Sequence, residues 1–246
     1  MKLDDQTLDY LRGKKFSNGL TVNLNYHEVI PDRIQLLAEL SKGKSILHLG
    51  CLDHLPLIDA KISKGQWLHK ELTKAATQCL GVDINKEAMD YVKEKYGFDN
   101  IIQRDITGPV IPEIAGKTWD FAILGELLEH IDNPVSYLGE IREKYQRVID
   151  KIIITVPNVL TEQSFAAARR STELINSDHR YWFSPYTIAK VMLQAGIELD
   201  EIFFANRIRL SFSGLVRKKL ITLSGGQPKY GFNYAGSIVA IGRMKS

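Results

Sequence analysis

The sequence has only two cysteines, Cys51 and Cys79, and it lacks both a long apolar run and a strong excess of either charge. Two cysteines without a zinc-type spacing are typical of free thiols in a reducing compartment. No run approaches the roughly 18 apolar residues of a membrane span, and residues 1–15 are too polar for a secretion signal. We therefore expect a cytoplasmic protein with unpaired thiols.

The charge balance limits the class of partner. The chain carries 32 basic and 29 acidic residues, so its formal net charge is only +3. Nucleic-acid-binding domains usually concentrate basic residues on one face, so no nucleic-acid partner is expected. The fractions of hydrophobic residues (44%) and charged residues (25%) are ordinary for a globular protein. A chain of 246 residues suits one domain, which we place at 1–246.

Short apolar segments alternate with amphipathic ones along the chain. The apolar segments predict strands at residues 45–50, 79–84, 100–106, 119–126, 151–158, 198–206 and 236–244. This alternation indicates an α/β fold with a parallel sheet covered by helices on both faces, and the last two strands are predicted to pair antiparallel. In this interpretation residues 1–44 are an N-terminal helical extension, in which Pro31 opens a helix, and 207–235 are an insertion between the last two strands. Ser184 is predicted as the N-cap of a late helix.

Glycine and acidic residues stand where the predicted parallel strands end. Gly50, Cys51 and Asp53 come at the end of the first strand, Asp83 at the end of the second and Asp105 at the end of the third. Ligands of such sheets bind beyond the carboxyl ends of the strands. An acidic residue at the position of Asp83 can accept hydrogen bonds from the ribose hydroxyls of an adenosine ligand, and Asp105 is placed to meet an adenine amino group. Each signal alone is weak, because an acidic residue after a strand is often only a turn former.

The segment GELLEH, residues 125–130, carries side chains with acid–base or metal-binding chemistry. Glu126, Glu129 and His130 fall at i, i+3 and i+4, so a helical turn would project all three from one face. Two carboxylates and an imidazole can bind a divalent cation, and oxygen ligands favour Mg²⁺ or Mn²⁺. Without a metal, the imidazole of His130 or that of His179 can act as a general base. The alternative is that Glu129 and His130 only cap and solvate a loop.

These segments together resemble the motifs of the class I S-adenosylmethionine-dependent methyltransferases. SILHLGCLDH is similar to the first motif, GVDI to the second, RDI to the third and WDFAILGELLEHIDNP to the fourth. The resemblance covers residues 34–243 and implies a Rossmann-like, seven-stranded, mostly parallel sheet with an antiparallel last strand. It also implies S-adenosylmethionine as the cofactor. The implied cofactor-binding residues are Gly50, Cys51, Asp53, Asp83, Ile84, Asp105, Ile106 and Gly125.

Members of this family that methylate small-RNA 3′ ends or phenolic quinone precursors carry a similar Glu-x-x-Glu-His segment. The resemblance implies that Glu126, Glu129, His130 and His179 face the acceptor and hold Mg²⁺ or Mn²⁺. In a metal-free enzyme, His130 is our first choice as catalytic base and His179 our second, with Glu126 touching the methionine part of the cofactor or the substrate.

The first motif departs from the family pattern. His48 stands where the family usually has an acidic residue, and Leu52 and His54 replace glycines. Dinucleotide enzymes need such glycines for a close approach to a pyrophosphate, which S-adenosylmethionine lacks. The altered loop is therefore compatible with this cofactor. A non-catalytic binding protein of the same fold is one alternative, and a nicotinamide dehydrogenase is another, which the missing glycines disfavour.

The nature of the acceptor rests on a narrower resemblance. GCLDH followed by WLHKEL and GVDI is most similar to bacterial methyltransferases of surface-glycan pathways, which implies O-methylation of a sugar hydroxyl in a glycan or its precursor. A small phenolic or quinone-type acceptor is the alternative. His54, His69 and Trp67 are candidates for the acceptor pocket, with a place in the core as the alternative for Trp67. His27 is either a cofactor neighbour or a surface residue.

The segment between the last two predicted strands is locally basic. Arg207, Arg209, Arg217, Lys218 and Lys219 interleave with leucine and phenylalanine. Such a segment fits a membrane surface, a lipid-linked glycan or a second subunit of a homodimer, and a solvated hairpin is the alternative.

Overall fold

The structure is a computed structural model that describes residues 1–24, 28–208, 219 and 231–244. Its strands are β1 Ser45–Leu49, β2 Gln78–Asp83, β3 Ile101–Gln103, β4 Trp119–Gly125, β5 Ile149–Pro157, β6 Glu198–Arg207 and β7 Ala235–Arg243. They form a sheet in the order β3-β2-β1-β4-β5-β7-β6, in which β7 runs antiparallel to both neighbours and the other pairs are parallel. The predicted mostly parallel, seven-stranded sheet with an antiparallel last strand is confirmed.

Helices cover both faces of this sheet. In the described chain they are α1 Asp5–Leu11, α2 Arg33–Leu40, α3 Leu55–Ser63, α4 Leu68–Ala75, α5 Lys86–Tyr96, α6 Pro112–Ala115, α7 Pro134–Tyr145, α8 Glu162–Ala168 and α9 Pro185–Gln194. None of these helices has the length and apolarity required to cross a membrane.

Neighbouring residues of the central strands pack against opposite helical layers. Ile123 of β4 and Ile153 of β5 belong to a core cluster with Leu37 of α2 and Leu72 of α4. The adjacent residues on these strands belong to the larger core with α7 and α9, and they are Ala122, Leu124, Ile152 and Ile154. The strands are therefore apolar without alternation because both of their faces are buried.

Polar caps set the ends of the helices near the site. Ser184 caps α9 in a reciprocal capping box with Thr187, as its sequence predicts. At α2, the Asp32 carboxylate accepts hydrogen bonds from two backbone N–H groups, so the helix begins at Arg33. Pro31 therefore lies outside the helix that it was predicted to open.

Within the N-terminal extension, helices cover Asp5–Leu11 and Arg33–Leu40, and the described residues 12–24 and 28–32 contain no helix. Before α2 the chain runs along β6, where the backbone N–H of Ile30 donates to the carbonyl of Phe204 at 2.9 Å. The N–H of Arg33 then donates to Oδ1 of Asn206 at 3.0 Å. These contacts bring the side chain of Arg33 to the carboxyl edge of the sheet.

Some of the residues and segments discussed in the sequence analysis lie outside the described residues. They are His27 and most of the 207–235 insertion, including Arg209, Arg217 and Lys218. Arg207 is the last residue of β6.

Candidate active site

A cavity of about 960 Å³ opens at the carboxyl ends of β1 to β4. This is the edge at which a parallel α/β sheet binds its ligand. The cavity is lined by all the predicted cofactor residues and by the predicted catalytic and metal-binding residues: Gly50, Cys51, Asp53, Asp83, Ile84, Asp105, Ile106, Gly125, Glu126, Glu129, His130 and His179. The structure thus brings this set into one site.

The loop after β1 requires glycine at one position. Gly50 has a φ of +65°, and a Cβ on it would lie 2.8 Å from the side chain of Leu127. The next residue is held from outside the loop, because Nε1 of Trp67 donates to the carbonyl of Cys51 at 3.0 Å. Trp67 is therefore a buried residue that supports the wall of the cavity.

Asp83 and Asp105 stand side by side at the strand ends in different electrostatic surroundings. Oδ2 of Asp83 accepts a hydrogen bond from the backbone of Leu52 at 2.9 Å, and burial raises the pKa of this carboxyl. Asp105 accepts hydrogen bonds from the hydroxyl and the N–H of Thr107, which lower its pKa. Beside Asp83, the apolar side chain of Ile84 is 71% exposed, which provides a surface suited to an aromatic base.

Tyr137 is a cavity residue that sequence reasoning missed. It stands on α7, where burial and the neighbouring carboxylates of Asp105 and Asp83 raise the pKa of its hydroxyl. Its place in the helical pattern is that of an ordinary core aromatic, so no local signal marks it.

Glu129, His130 and His179 form a cluster in the same cavity, with one ligand atom of each within 4.8 Å of the others. The side chain of Glu129 is buried, and neither carboxylate oxygen has a hydrogen-bond partner among the described residues. Nε2 of His179 lies 3.9 Å from Oε1 of Glu129, and the rings of His130 and His179 pack edge to face at 4.8 Å. Burial raises the pKa of Glu129 to about 8 and lowers that of His179. A carboxylate in such a place is stable only if it takes up a proton or meets a cation.

Hydrogen bonds and ion pairs orient the polar groups around this cluster. Nδ1 of His130 lies 3.2 Å from the carbonyl oxygen of Asp178, so it must carry a proton, and Nε2 of the neutral ring keeps its lone pair. The carboxylate of Asp178 lies 3.2 Å from Nε2 of His54 in the loop after β1. Asp53, the acidic residue of that loop, pairs with Lys61.

Glu126 departs from the predicted geometry. Its φ is +59°, and the 3₁₀ turn begins only at Leu128, so the helical face predicted for this segment does not form. Oε1 of Glu126 instead accepts a hydrogen bond from Ser237 at 2.7 Å, and Oε2 lies 3.3 Å from Nη2 of Arg33. Glu126 lines the cavity but lies outside the cluster of three.

Arg33 is the second cavity residue that sequence reasoning missed. Its Nη1 donates to Oγ1 of Thr155 at 2.9 Å, and its buried Nε has no hydrogen-bond partner in the part of the chain that the structure describes. Arg33 comes from α2, far from the strand ends in sequence, so only the folded chain reveals its place.

One residue given a chemical role from sequence, His69, turns out to be buried, and the two cysteines are buried or partly buried. His69 is fully buried, and its Nδ1 lies 3.2 Å from Nδ1 of His48, so its predicted place in the acceptor pocket is wrong. Cys51 and Cys79 are free, and burial raises the pKa of both thiols, that of Cys79 to about 11. With their pKa values raised, both thiols stay protonated at neutral pH, which disfavours a nucleophilic role.

The methyltransferase-domain sequence profile matches residues 23–202, most of the chain. The chain belongs to this methyltransferase family. No curated protein matches the sequence significantly.

Several solved structures share the fold of this methyltransferase. An S-adenosylmethionine-dependent methyltransferase from Archaeoglobus fulgidus has 16% identity and a TM-score of 0.52, over 85% of this chain and 94% of that one. Magnesium protoporphyrin IX methyltransferase from Synechocystis PCC 6803, with bound S-adenosylhomocysteine, has 12% identity and a TM-score of 0.52, over 87% and 82%. A possible histamine N-methyltransferase from Thermotoga maritima has 14% identity and a TM-score of 0.54, over 86% and 87%. At these identities the likeness concerns the fold.

Proposed function

We propose that this methyltransferase transfers the methyl group of S-adenosylmethionine to a hydroxyl group of a sugar in a glycan or glycan precursor. The observation that carries the proposal is a single cavity that joins Asp83 and Asp105 with the Glu129–His130–His179 cluster. The two aspartates suit a ribose and an adenine. The cluster suits an acceptor group that must lose a proton.

The residues at the strand ends fit the cofactor. Gly50 lets the loop turn close to Leu127, Asp83 and Asp105 offer acceptor oxygens, and Ile84 offers an exposed apolar surface. When bound, S-adenosylmethionine supplies an electrophilic methyl group on its sulfonium. The aligned placement of the acceptor is the main contribution of the protein to such a transfer.

The cluster provides a proton acceptor for the hydroxyl. An uncharged hydroxyl is a poor nucleophile at neutral pH, so a base is required. We assign this role to Nε2 of His130, whose lone pair is fixed by the contact of Nδ1 with the carbonyl of Asp178. His179 is the second candidate. The carboxyl of Glu129, with a pKa of about 8, can hold a proton beside either imidazole near neutral pH.

A divalent cation is the alternative partner of the same cluster. The two carboxylate oxygens of Glu129 without hydrogen-bond partners among the described residues, together with two imidazoles, fit the ligand preferences of Mn²⁺ or Mg²⁺. Glu129, His130 and His179 would hold the ion, which would lower the pKa of the acceptor hydroxyl. This alternative extends the acceptor class to phenols.

The polar lining around the cluster supports a polyhydroxyl acceptor. His54, Asp132, Asn133 and Asn176 line the cavity together with the cluster. Their side chains are hydrogen-bond donors and acceptors, which suit sugar hydroxyls better than an extended apolar ring.

Calorimetric titration with S-adenosylhomocysteine tests the cofactor site. We expect micromolar binding to the wild type and at least tenfold weaker binding to Asp83→Asn. The matched control is Asp90→Asn, which changes an exposed aspartate paired with Lys86 on α5, outside the cavity. The same affinity in Asp83→Asn and wild type, or a folded wild type that does not bind, would contradict the proposal.

The acceptor is tested by S-adenosylhomocysteine formation with a panel of monosaccharides, nucleotide sugars and catechols. We expect turnover with a sugar and a loss of at least a hundredfold in kcat for His130→Asn. Turnover with catechols alone would favour the phenolic alternative.

A further inference from the structure

Three polar side chains, two of them buried, form a line that ends at the cavity. Nδ1 of His48, on β1, lies 3.2 Å from Nδ1 of His69, on α4. Nε2 of His69 lies 3.4 Å from Oδ1 of Asn100, just before β3. His48 and His69 are almost completely buried, with exposed fractions of 2% and 0%. His48 also lines the cavity, at the position where related methyltransferases usually have an acidic residue.

The contacts of Asn100 determine where the protons of this line lie. The hydroxyl of Thr73 donates to the carbonyl of His69 at 2.8 Å, so its oxygen is free to accept a hydrogen bond from Nδ2 of Asn100 at 3.1 Å. The carbonyl of Cys79 accepts the second proton of Nδ2, also at 3.1 Å. Oδ1 of Asn100 therefore faces His69 as an acceptor, and Nε2 of His69 must be the donor.

The tautomer of His48 follows from that of His69. Burial lowers the pKa of His69 to about 4 and that of His48 well below its ordinary value, so both rings are neutral near pH 7. A neutral His69 protonated at Nε2 presents a lone pair at Nδ1. Nδ1 of His48, at 3.2 Å, donates to that lone pair, which Sγ of Cys79 approaches only to 3.9 Å. Nε2 of His48 then carries the free lone pair of the line.

This lone pair lies beside the guanidinium of Arg33 at the cavity wall. A Cβ added at Gly125 would lie 3.5 Å from Nε2 of His48 and 3.5 Å from Nη1 of Arg33. In the described chain Nε2 of His48 has no hydrogen-bond partner, and neither does Nε of Arg33. Arg33 also pairs through Nη2 with Oε2 of Glu126 at 3.3 Å, so this wall presents an acceptor and a carboxylate beside a cation. These groups match an α-amino acid, whose ammonium donates and whose carboxylate is negative.

We propose that Nε2 of His48 accepts a hydrogen bond from the ammonium of the methionine part of the cofactor, and that His69 and Asn100 are positioning residues that fix its tautomer. The proposal rests on the proposed function, because it concerns the same cofactor. It explains how this chain keeps an acceptor at a position where an acidic residue is usual: the neutral imidazole avoids a buried negative charge.

Nitrogen NMR of protein labelled with ¹⁵N-histidine tests the tautomers directly. At pH 7 we expect His48 protonated at Nδ1 and His69 protonated at Nε2, with the Nε2 signal of His48 shifting when S-adenosylhomocysteine is added. Asn100→Leu removes the acceptor of His69 and should mix the two tautomers. A wild type with His48 protonated at Nε2 would overturn the proposal, whether or not the variants fold.

Binding of two ligands shows whether this proposal alone fails or whether the proposed function fails as well. S-adenosylhomocysteine carries the amino-acid group, and 5′-methylthioadenosine lacks it. We expect His48→Leu to bind S-adenosylhomocysteine about 10- to 100-fold more weakly than the wild type, which is the usual effect of losing a hydrogen bond to a charged group. The affinity of this variant for 5′-methylthioadenosine should be unchanged. Equal affinity of His48→Leu and wild type for S-adenosylhomocysteine would overturn the role of His48 alone. A wild type that binds neither ligand would overturn the proposed function.

Discussion

Oε1 of Glu129 lies 3.9 Å from Nε2 of His179, and both oxygens of this buried carboxylate lack a hydrogen-bond partner among the described residues. Two routes relieve the cost of burying such a group. A proton neutralises the carboxylate, in agreement with its pKa of about 8, or a cation pairs with it. The two routes have different experimental signatures.

The proton route predicts how the free energy of unfolding depends on pH. The pKa of Glu129 rises from 4.5 to about 8 on folding, so between these values the folded state holds a proton that the unfolded state has released. The contribution of this group to stability is therefore complete below pH 4.5 and falls as pH rises to 8, by up to about 5 kcal/mol. Glu129→Gln has no titrating group and should lose this part of the dependence. Urea unfolding at pH 5, 7 and 9 measures it, and parallel pH profiles of variant and wild type would contradict the prediction.

The cation route predicts a metal-dependent rise in melting temperature. If Mn²⁺ binds the cluster, a 100-fold excess over its Kd stabilises the folded state by about 2.7 kcal/mol, or roughly 5–10 °C for a chain of this size. Glu129→Gln should abolish the rise. The control Glu71→Gln, which alters an exposed pair with Lys74, should keep it. An unchanged melting temperature of the wild type with both Mn²⁺ and Mg²⁺ would leave His130 as a metal-free base.

The sheet and the common cavity of the candidate cofactor residues could be predicted from sequence because their signals are local. Apolar segments bounded by glycine or acidic residues mark strands that are buried on both faces, and residues at their carboxyl ends meet wherever the strands are parallel. Asp83 and Asp105 illustrate this, since each follows its own strand and both line one cavity.

Features that depend on long-range contacts were out of reach of the sequence. The spacing of Glu126 fits a helical turn, but its left-handed backbone is accompanied by contacts with Arg33 and Ser237, both distant in the chain. His69 stands on an amphipathic helix, and only the register that sets His48 beside it shows that the pair is buried.

Gly50 and Gly97 permit a matched test of the loop after β1. Both have left-handed backbones, with φ of +65° and +73°, so replacement by alanine should cost each about 1–2 kcal/mol of stability. At Gly97 a Cβ meets nothing within 4 Å, whereas at Gly50 it lies 2.8 Å from Leu127. Gly50→Ala should therefore destabilise the fold more than Gly97→Ala does. It should also bind S-adenosylhomocysteine more weakly, while Gly97→Ala should bind it normally. Urea unfolding and calorimetry provide the two measurements, and normal binding by Gly50→Ala would contradict the role of the loop.

Two buried tryptophans, Trp67 and Trp119, allow the effect of a lost hydrogen bond on ligand binding to be distinguished from its effect on stability. Nε1 of Trp67 donates to the carbonyl of Cys51 in the cavity loop at 3.0 Å, and Nε1 of Trp119 donates to the carbonyl of Ile114 at 3.1 Å, away from the cavity. Phenylalanine at either position removes one hydrogen bond. Trp67→Phe leaves the Cys51 carbonyl without a donor among the described residues and should lose about 1–3 kcal/mol of stability. The Ile114 carbonyl still accepts from the N–H of Lys117 at 3.3 Å, so Trp119→Phe should lose about 0.5–1.5 kcal/mol. Only Trp67→Phe should also bind S-adenosylhomocysteine more weakly, because in the wild type the hydrogen bond of Trp67 holds backbone that lines the site. Equal affinities of the two variants would show that the loop keeps its shape without Trp67.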